Sequence, residues 1–153
     1  MCNDILKLLK IKDNNIKITK VEEDVVIRGK KSNVIFGTLS YKPMTCSHCY
    51  HTNPNRIHKH GKRLSRITFL RFQEIAVYLN LLKQRFKCMV CGRTFTSKTN
   101  VVEDNCFISN HVQKAIIDKA TQVRSETDIA SDCNVSASSV KRVIHKVSNT
   151  TFQ

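Results

Sequence analysis

The sequence predicts an α+β chain: a small β-rich segment over residues 1–43, a basic ribbon-like module over 44–100, and a three-helix unit over 105–148. Three observations carry this division. Residues 16–41 are rich in β-branched side chains broken by turn-forming clusters, residues 44–96 hold two Cys-x-x-Cys pairs with alternating apolar sequence between them, and beyond Thr96 the apolar spacing becomes helical. At 153 residues and 41% apolar content the chain suits two or three small modules, and it is too polar for a membrane span. Lys7, Lys10 and Lys12 interrupt the apolar residues from Ile5 to Ile11, so no leader pattern is visible and a cytoplasmic location is expected.

Taken in order, residues 3–11 form a short amphipathic stretch with Ile5, Leu6, Leu8 and Leu9, read as a helix that stops before Asp13-Asn14-Asn15. Three β-rich runs follow, Ile16 to Val21, Val25 to Arg28 and Asn33 to Tyr41. Glu22-Glu23-Asp24 and Gly29-Lys30-Lys31-Ser32 separate them, which predicts a small antiparallel meander. Farther on, Ile75, Val77, Leu79 and Leu81 recur at spacing two and Phe86 leads into Cys88. Strands are expected there, with a helix from Glu74 to Arg85 as the alternative.

Charge is distributed unevenly. The net charge is +14, yet residues 41–100 hold 12 Lys/Arg against one acid, Glu74, while residues 101–153 hold 6 of each sign. A surface built only for solubility mixes both signs, so the one-signed middle segment points to a polyanionic partner.

Seven cysteines cannot all pair, and a reducing compartment disfavours disulfides, so metal binding is the expected use. Cys46-Ser47-His48-Cys49 and Cys88-Met89-Val90-Cys91 share one spacing, with 38 residues between Cys49 and Cys88. Two residues between thiolates let one tight turn aim both sulfurs at one ion, so the two turns supply a closed tetrahedral zinc site. Strands running out and back between the turns would fill the gap, as in a zinc ribbon. Gly92, after Cys91, suits the left-handed residue such a knuckle needs; Tyr50, after Cys49, suits it less, which predicts a less regular first knuckle. A closed four-thiolate site leaves no open position for chemistry, so its role is structural. A thioredoxin-like redox pair is disfavoured because neither motif lies between a strand and a helix. Among His48, His51, His58 and His60, expected to be solvent or phosphate contacts, only His48 is kept as a substitute ligand. Cys2, Cys106 and Cys133 lack partners at ligand spacing and are read as simple thiols.

Ser109 is the expected N-cap of a helix reaching about Val123, with Val112, Ile116 and Ala120 on one face. Residues 128–144 then read as a helix-turn-helix. Ile129 and the small Ala130 allow close helix approach, Asn134 fills the left-handed turn position, Val135 plugs the core and Ser136 caps the next helix. Val140, Ile144 and Val147 form the inward stripe of that helix. Its N-terminal part would meet base edges in double-stranded DNA, which nominates Ala137, Ser138 and Arg142 as base readers and Ser139, Lys141 and His145 as phosphate contacts. An ordinary helical hairpin is the bland alternative. Asp118, Glu126, Asp128 and Asp132 fall on these helices or their caps and are read as helix-surface acids.

This order of parts resembles the N-terminal region of the ISL-three family of bacterial insertion-sequence transposases. The matching features are Cys46-x-x-Cys49, the basic stretch Arg56-Ile57-His58-Lys59-His60-Gly61, the run from Gln84 to Phe95 with its second knuckle, and the helix-turn-helix. The resemblance implies binding to the terminal inverted repeats of an insertion element. It also implies a DDE catalytic domain after the helix-turn-helix, where this sequence has only Ser148 to Gln153, so it reads as a truncated, non-catalytic form. The partners expected are double-stranded DNA and, among proteins, a second copy or a full-length transposase. A free-standing zinc-containing helix-turn-helix regulator is the competing reading, for which the N-terminal segment is small as an effector pocket. A thiol metalloenzyme would need an open metal position.

Overall fold

In the computed structural model, residues 2–151 are described, and side chains from residue 4 to residue 149. Cys2, expected to be a simple thiol, has its side chain outside that range. The chain is α+β, with a mixed five-stranded sheet and, among the described residues, four α-helices.

Helix α1 (Cys2–Leu8) is shorter than the expected 3–11. Lys10 turns left-handed, and Ile11 N–H donates to Leu6 O at 2.9 Å, which closes the helix and lays Ile5, Leu6, Leu9 and Ile11 against the sheet.

Two of the three strands expected next are one strand, so the meander is a hairpin. Strand β1 (Ile16–Ile27) runs through Glu22-Glu23-Asp24 as a β-bulge: Glu22 pairs with Val34 and Val25 with Ser32, leaving one extra residue, and Asp24 takes φ +56°. The acids lengthen the strand on its exposed side instead of ending it. The reversal comes at Arg28-Gly29, both left-handed, so β2 (Lys30–Leu39) begins inside the expected turn.

Strands β3 (Ile57–Phe72) and β4 (Ile75–Cys88) form the second hairpin, and the alternative helix from Glu74 does not form. Residues 76–81 are buried on both faces of the central strand, which suits an unbroken apolar run. Gln73 and Glu74, at φ +54° and +65°, make the turn without glycine. Arg71 braces it, its guanidinium donating to Glu74 O at 2.6 Å and lying 3.3 Å from the Glu74 carboxylate.

The strand order is β1-β2-β4-β3, and β5 (Thr94–Thr96) pairs with the end of β4. All these pairings are antiparallel except β2 with β4, which run parallel from Ser32↔Ala76 to Leu39↔Lys83. Parallel strands leave a sheet at the same end. The chain after Leu39 and the chain after Lys83 therefore emerge side by side, which carries residues 46–49 to residues 88–91. Segments 1–43 and 44–100 thus share one sheet. Its main core is Ile16, Ile18, Ile35, Leu39, Ile67, Phe69, Val77, Leu79 and Leu81, closed from outside by α1 and by Val101 and Val102.

Helices α2 (Asn110–Ala120), α3 (Glu126–Cys133) and α4 (Ala137–Thr151) surround a separate core of Val112, Ile116, Ile129, Ala130, Cys133, Val140 and Val143. Ser109 caps α2, accepting from Val112 N–H at 3.3 Å. That helix stops at Ala120, short of Val123, because the Thr121 hydroxyl donates back to Asp118 O at 2.7 Å; Ala120 is exposed. The inward stripe of α4 is Val140, Val143 and Ile144; Val147, expected on it, is 37% exposed. Thr68 N–H donates to Phe107 O at 2.8 Å and Ser109 N–H to Thr68 O at 3.0 Å, which fastens the helices to the β3 edge.

Asn134 ties the helices to the other face of the sheet, where Ile27, Val34, Ala76 and Tyr78 form a smaller cluster. It takes φ +56° and ψ +47° after α3, and its Nδ2 donates to the Tyr78 hydroxyl at 3.0 Å. Asn134→Gly keeps the backbone conformation and loses only that bond, so a stability loss of about 1 kcal/mol is expected. Asn134→Ala also forces a Cβ into the left-handed region, raising the expected loss to about 2 kcal/mol or more. Denaturant melts showing alanine no worse than glycine would remove the turn from this account.

Candidate metal centre and exposed helix face

The cysteines at 46, 49, 88 and 91 converge where β2 and β4 leave the sheet. Each pair sits in a tight turn. Tyr50 N–H donates to Cys46 O at 3.0 Å and Gly92 N–H to Cys88 O at 2.8 Å, with Tyr50 at φ +60° and Gly92 at φ +75°. The first knuckle is therefore as regular as the second. Tyr50 takes the left-handed conformation despite the Cβ cost, held there by its N–H bond to Cys46 O, and is 76% exposed.

The sulfurs Cys46 Sγ and Cys91 Sγ are 3.7 Å apart, as are Cys49 Sγ and Cys88 Sγ, and no pair of the four exceeds 4.8 Å. A disulfide needs about 2.05 Å. Four sulfurs at about 2.3 Å from a tetrahedral ion lie about 3.8 Å from each other, so the donor set fits a metal of that kind. Burial pushes the Cys46 thiol up, but the backbone N–H groups of Cys49 and His48 and the thiols of Cys49 and Cys88 bring it down to about 6. His51 N–H lowers Cys49, yet burial and the thiols of Cys88, Cys46 and Cys91 outweigh it and raise Cys49 to about 11. Such a cluster ionises one sulfur easily and resists ionising the next until a cation neutralises it.

The histidines separate here. His48 Nε2 meets Thr94 O at 3.1 Å and its ring stands edge-on to Phe95, so it is turned away from the sulfurs. His51 is the supporting residue that spacing did not single out. Its Nδ1 accepts from Asn53 N–H at 3.1 Å, which leaves Nε2 protonated to donate to Cys88 Sγ, also at 3.1 Å. His58 and His60 are exposed on β3. Beneath the knuckles, Tyr41, Phe86 and Phe95 stack at centroid distances of 5.8 and 5.5 Å, so the aromatic residues flanking the second knuckle form its floor. Cys106 is half-buried, while Cys133 is buried in the helical core, where burial raises its thiol.

On the helices, Val135 N–H donates to Ala130 O at 3.0 Å, and Ser136 Oγ accepts from Ser139 N–H at 3.1 Å, so α3, a three-residue link and α4 are locked in sequence. Ala137, Ser138, Lys141, Arg142 and His145 are exposed and Ser139 is half-buried. Lys141 Nζ lies 3.7 Å from the Glu126 carboxylate. Asp132 pairs with Arg124 and with Lys119, and the Arg124 hydrogen bond holds its carboxyl below the usual range. Asp118 and Asp128 stand on the helix surfaces. Among the described residues no helix is long and apolar enough to cross a membrane. Compared with family models, curated proteins and solved structures, the chain matches none of them.

Proposed function

We propose that the chain recognises double-stranded DNA, at the terminal inverted repeats of an insertion element, with α3 and α4 acting as a helix-turn-helix and a structural zinc holding the basic ribbon. The observation that carries this reading is the exposed face Ala137, Ser138, Lys141, Arg142 and His145, set directly after the left-handed Asn134 turn and the Ser136 cap. A helix presented this way offers its N-terminal turns to the major groove. Arg142 has the fork geometry to read guanine, with Ala137 and Ser138 beside it, while Ser139, Lys141 and His145 meet phosphate.

Cys46, Cys49, Cys88 and Cys91 would hold the zinc. When bound, it cross-links the two knuckles and supplies no reactive position. The reading is recognition without cleavage. Asp132, Glu126, Glu103 and Asp104 are each engaged by Arg or Lys on the surface and do not converge as a metal-holding set.

The test is a binding titration on a labelled inverted repeat and on random duplex. Arg142→Ala is expected to cost about 1–3 kcal/mol on the repeat and little on random DNA. With magnesium present the repeat should stay uncut. Equal losses on both duplexes would make Arg142 a phosphate contact, and strand cleavage would mean that these residues carry an active site.

A further inference from the structure

The face of the sheet that carries the main core does not remain apolar along its length. Going from Phe69 and Ile67 toward the knuckles, β3 next presents Ser65 and Arg63 on the same side, at the two-residue period of a strand. Their cross-strand partners on β4 are Leu81 and Lys83. Arg63 and Lys83 therefore stand directly opposite one another, an arrangement that like charges disfavour.

The segment from Ser97 to Phe107 passes over this end of the face, anchored by Ser97 N–H to Gln84 O at 2.9 Å and by Phe107 O to Thr68 N–H at 2.8 Å. It borders a half-open cavity of about 280 Å³ lined by Arg63, Ser65, Lys83, Ser97, Lys98 and Asp104. Among the described residues neither the Arg63 guanidinium nor the Lys83 ammonium has an ion-pair or side-chain hydrogen-bond partner. The single acid in the lining, Asp104, is taken by Lys98 at 3.2 Å. Ser97 is only 3% exposed, and its hydroxyl has no hydrogen-bond partner. Burial lowers the pKa of Lys83; Asp104 works against that and Arg63 adds to it. A buried hydroxyl without a partner and two facing cations whose one nearby acid is already paired with Lys98 share one deficit, an anion with several acceptor oxygens.

We propose that this cavity is an oxyanion subsite that takes one phosphate group, with Arg63 and Lys83 as its cationic pair and the Ser97 hydroxyl as its neutral donor. The source of the group rests on the function proposed above. An adjoining cavity of about 370 Å³ shares Asn105, Cys106 and Phe107 with the first and is bounded by Ser139 and Arg142 of α4. A nucleic-acid backbone engaged by α4 is thereby led to Arg63 and Lys83, where one phosphodiester completes the site.

Two arms test this on the full zinc-loaded chain. In the first, inorganic phosphate is titrated against chloride at equal ionic strength. Phosphate should raise Tm and shift the Lys83 side-chain NMR signals beyond what chloride does. The double variant Arg63→Gln/Lys83→Met should lose that response while melting no lower than the parent, because relieving two facing cations removes repulsion. Ser97→Ala, which leaves both charges in place, should weaken the phosphate response several-fold. In the second arm, duplex binding is followed across salt. The double variant should reduce the salt slope by about one phosphate contact, equally on repeat and random DNA.

Loss of the phosphate response with an unchanged slope would keep the oxyanion site and make its occupant a free phosphate. A response to phosphate no larger than to chloride, or a double variant that melts well below the parent, would overturn the site. If the parent chain bound no DNA, the proposed function would fall, while the phosphate arm would still decide the subsite.

Discussion

Replacing Cys88 with serine is expected to take zinc from one per chain to near zero and to unfasten the end of the sheet where β2 and β4 emerge. Cys88 is the strongest choice among the four ligands because it is the last residue of β4, is buried, and accepts the His51 Nε2 hydrogen bond. Its loss removes a ligand and a knuckle together. Apparent zinc affinities of small structural modules amount to about 10–16 kcal/mol, as large as the roughly 5–15 kcal/mol of a whole domain. Tm should therefore fall by tens of degrees, and a chelator should do the same to the parent chain. Cys106→Ser should change neither metal content nor melting. Metal analysis under reducing conditions, paired with thermal melts, decides the matter; a Cys88 variant that keeps both its zinc and its Tm would sink the assignment.

The second large effect is on DNA affinity. Residues 41–100 hold 12 Lys/Arg against one acid, and the structure distributes Lys59, Lys62, Arg63 and Arg66 along the exposed edge strand β3, while α4 adds Lys141, Arg142 and Lys146, of which Lys141 and Lys146 face Glu126 and Glu103. Phosphate contacts should thus come mainly from the ribbon and base contacts from α4. With five or six phosphates neutralised, log K should fall against log salt with a slope of about −5, a loss of about a thousandfold between 50 and 200 mM. Replacing Lys59 and Lys62 with glutamine should flatten the slope by up to about two contacts without changing the preference for the repeat. Salt-independent affinity would take the ribbon out of the interface.

How much of this was readable beforehand depends on how far each signal reaches along the chain. The four-cysteine cluster was legible because a Cys-x-x-Cys turn is complete within a few residues, and two such turns name one site. The boundaries around Asn134 and Ser136 were legible for the same reason: a left-handed turn and a side-chain cap are satisfied by near neighbours. The sequence by itself thus determined the α+β class, the cysteines that cluster and the link between α3 and α4.

Only the tertiary structure decided the rest. Glu22-Glu23-Asp24 has the composition of a turn and became a bulge because Val34 and Ser32 on β2 hold both sides of it. Gln73-Glu74 lacks glycine and became a turn because β3 and β4 pair on either side. His51 looked like any histidine in a basic segment until Cys88 was brought to it, and Arg63 and Lys83 became a pair only through strand register. Above all, the parallel pairing of β2 with β4 carries the knuckles to one end of the sheet, and no periodicity in either strand encodes it. Period and capping specify which way a side chain faces and where an element stops. Which strand lies beside which is fixed by burying the faces of the whole sheet at once, a balance no short window of sequence contains.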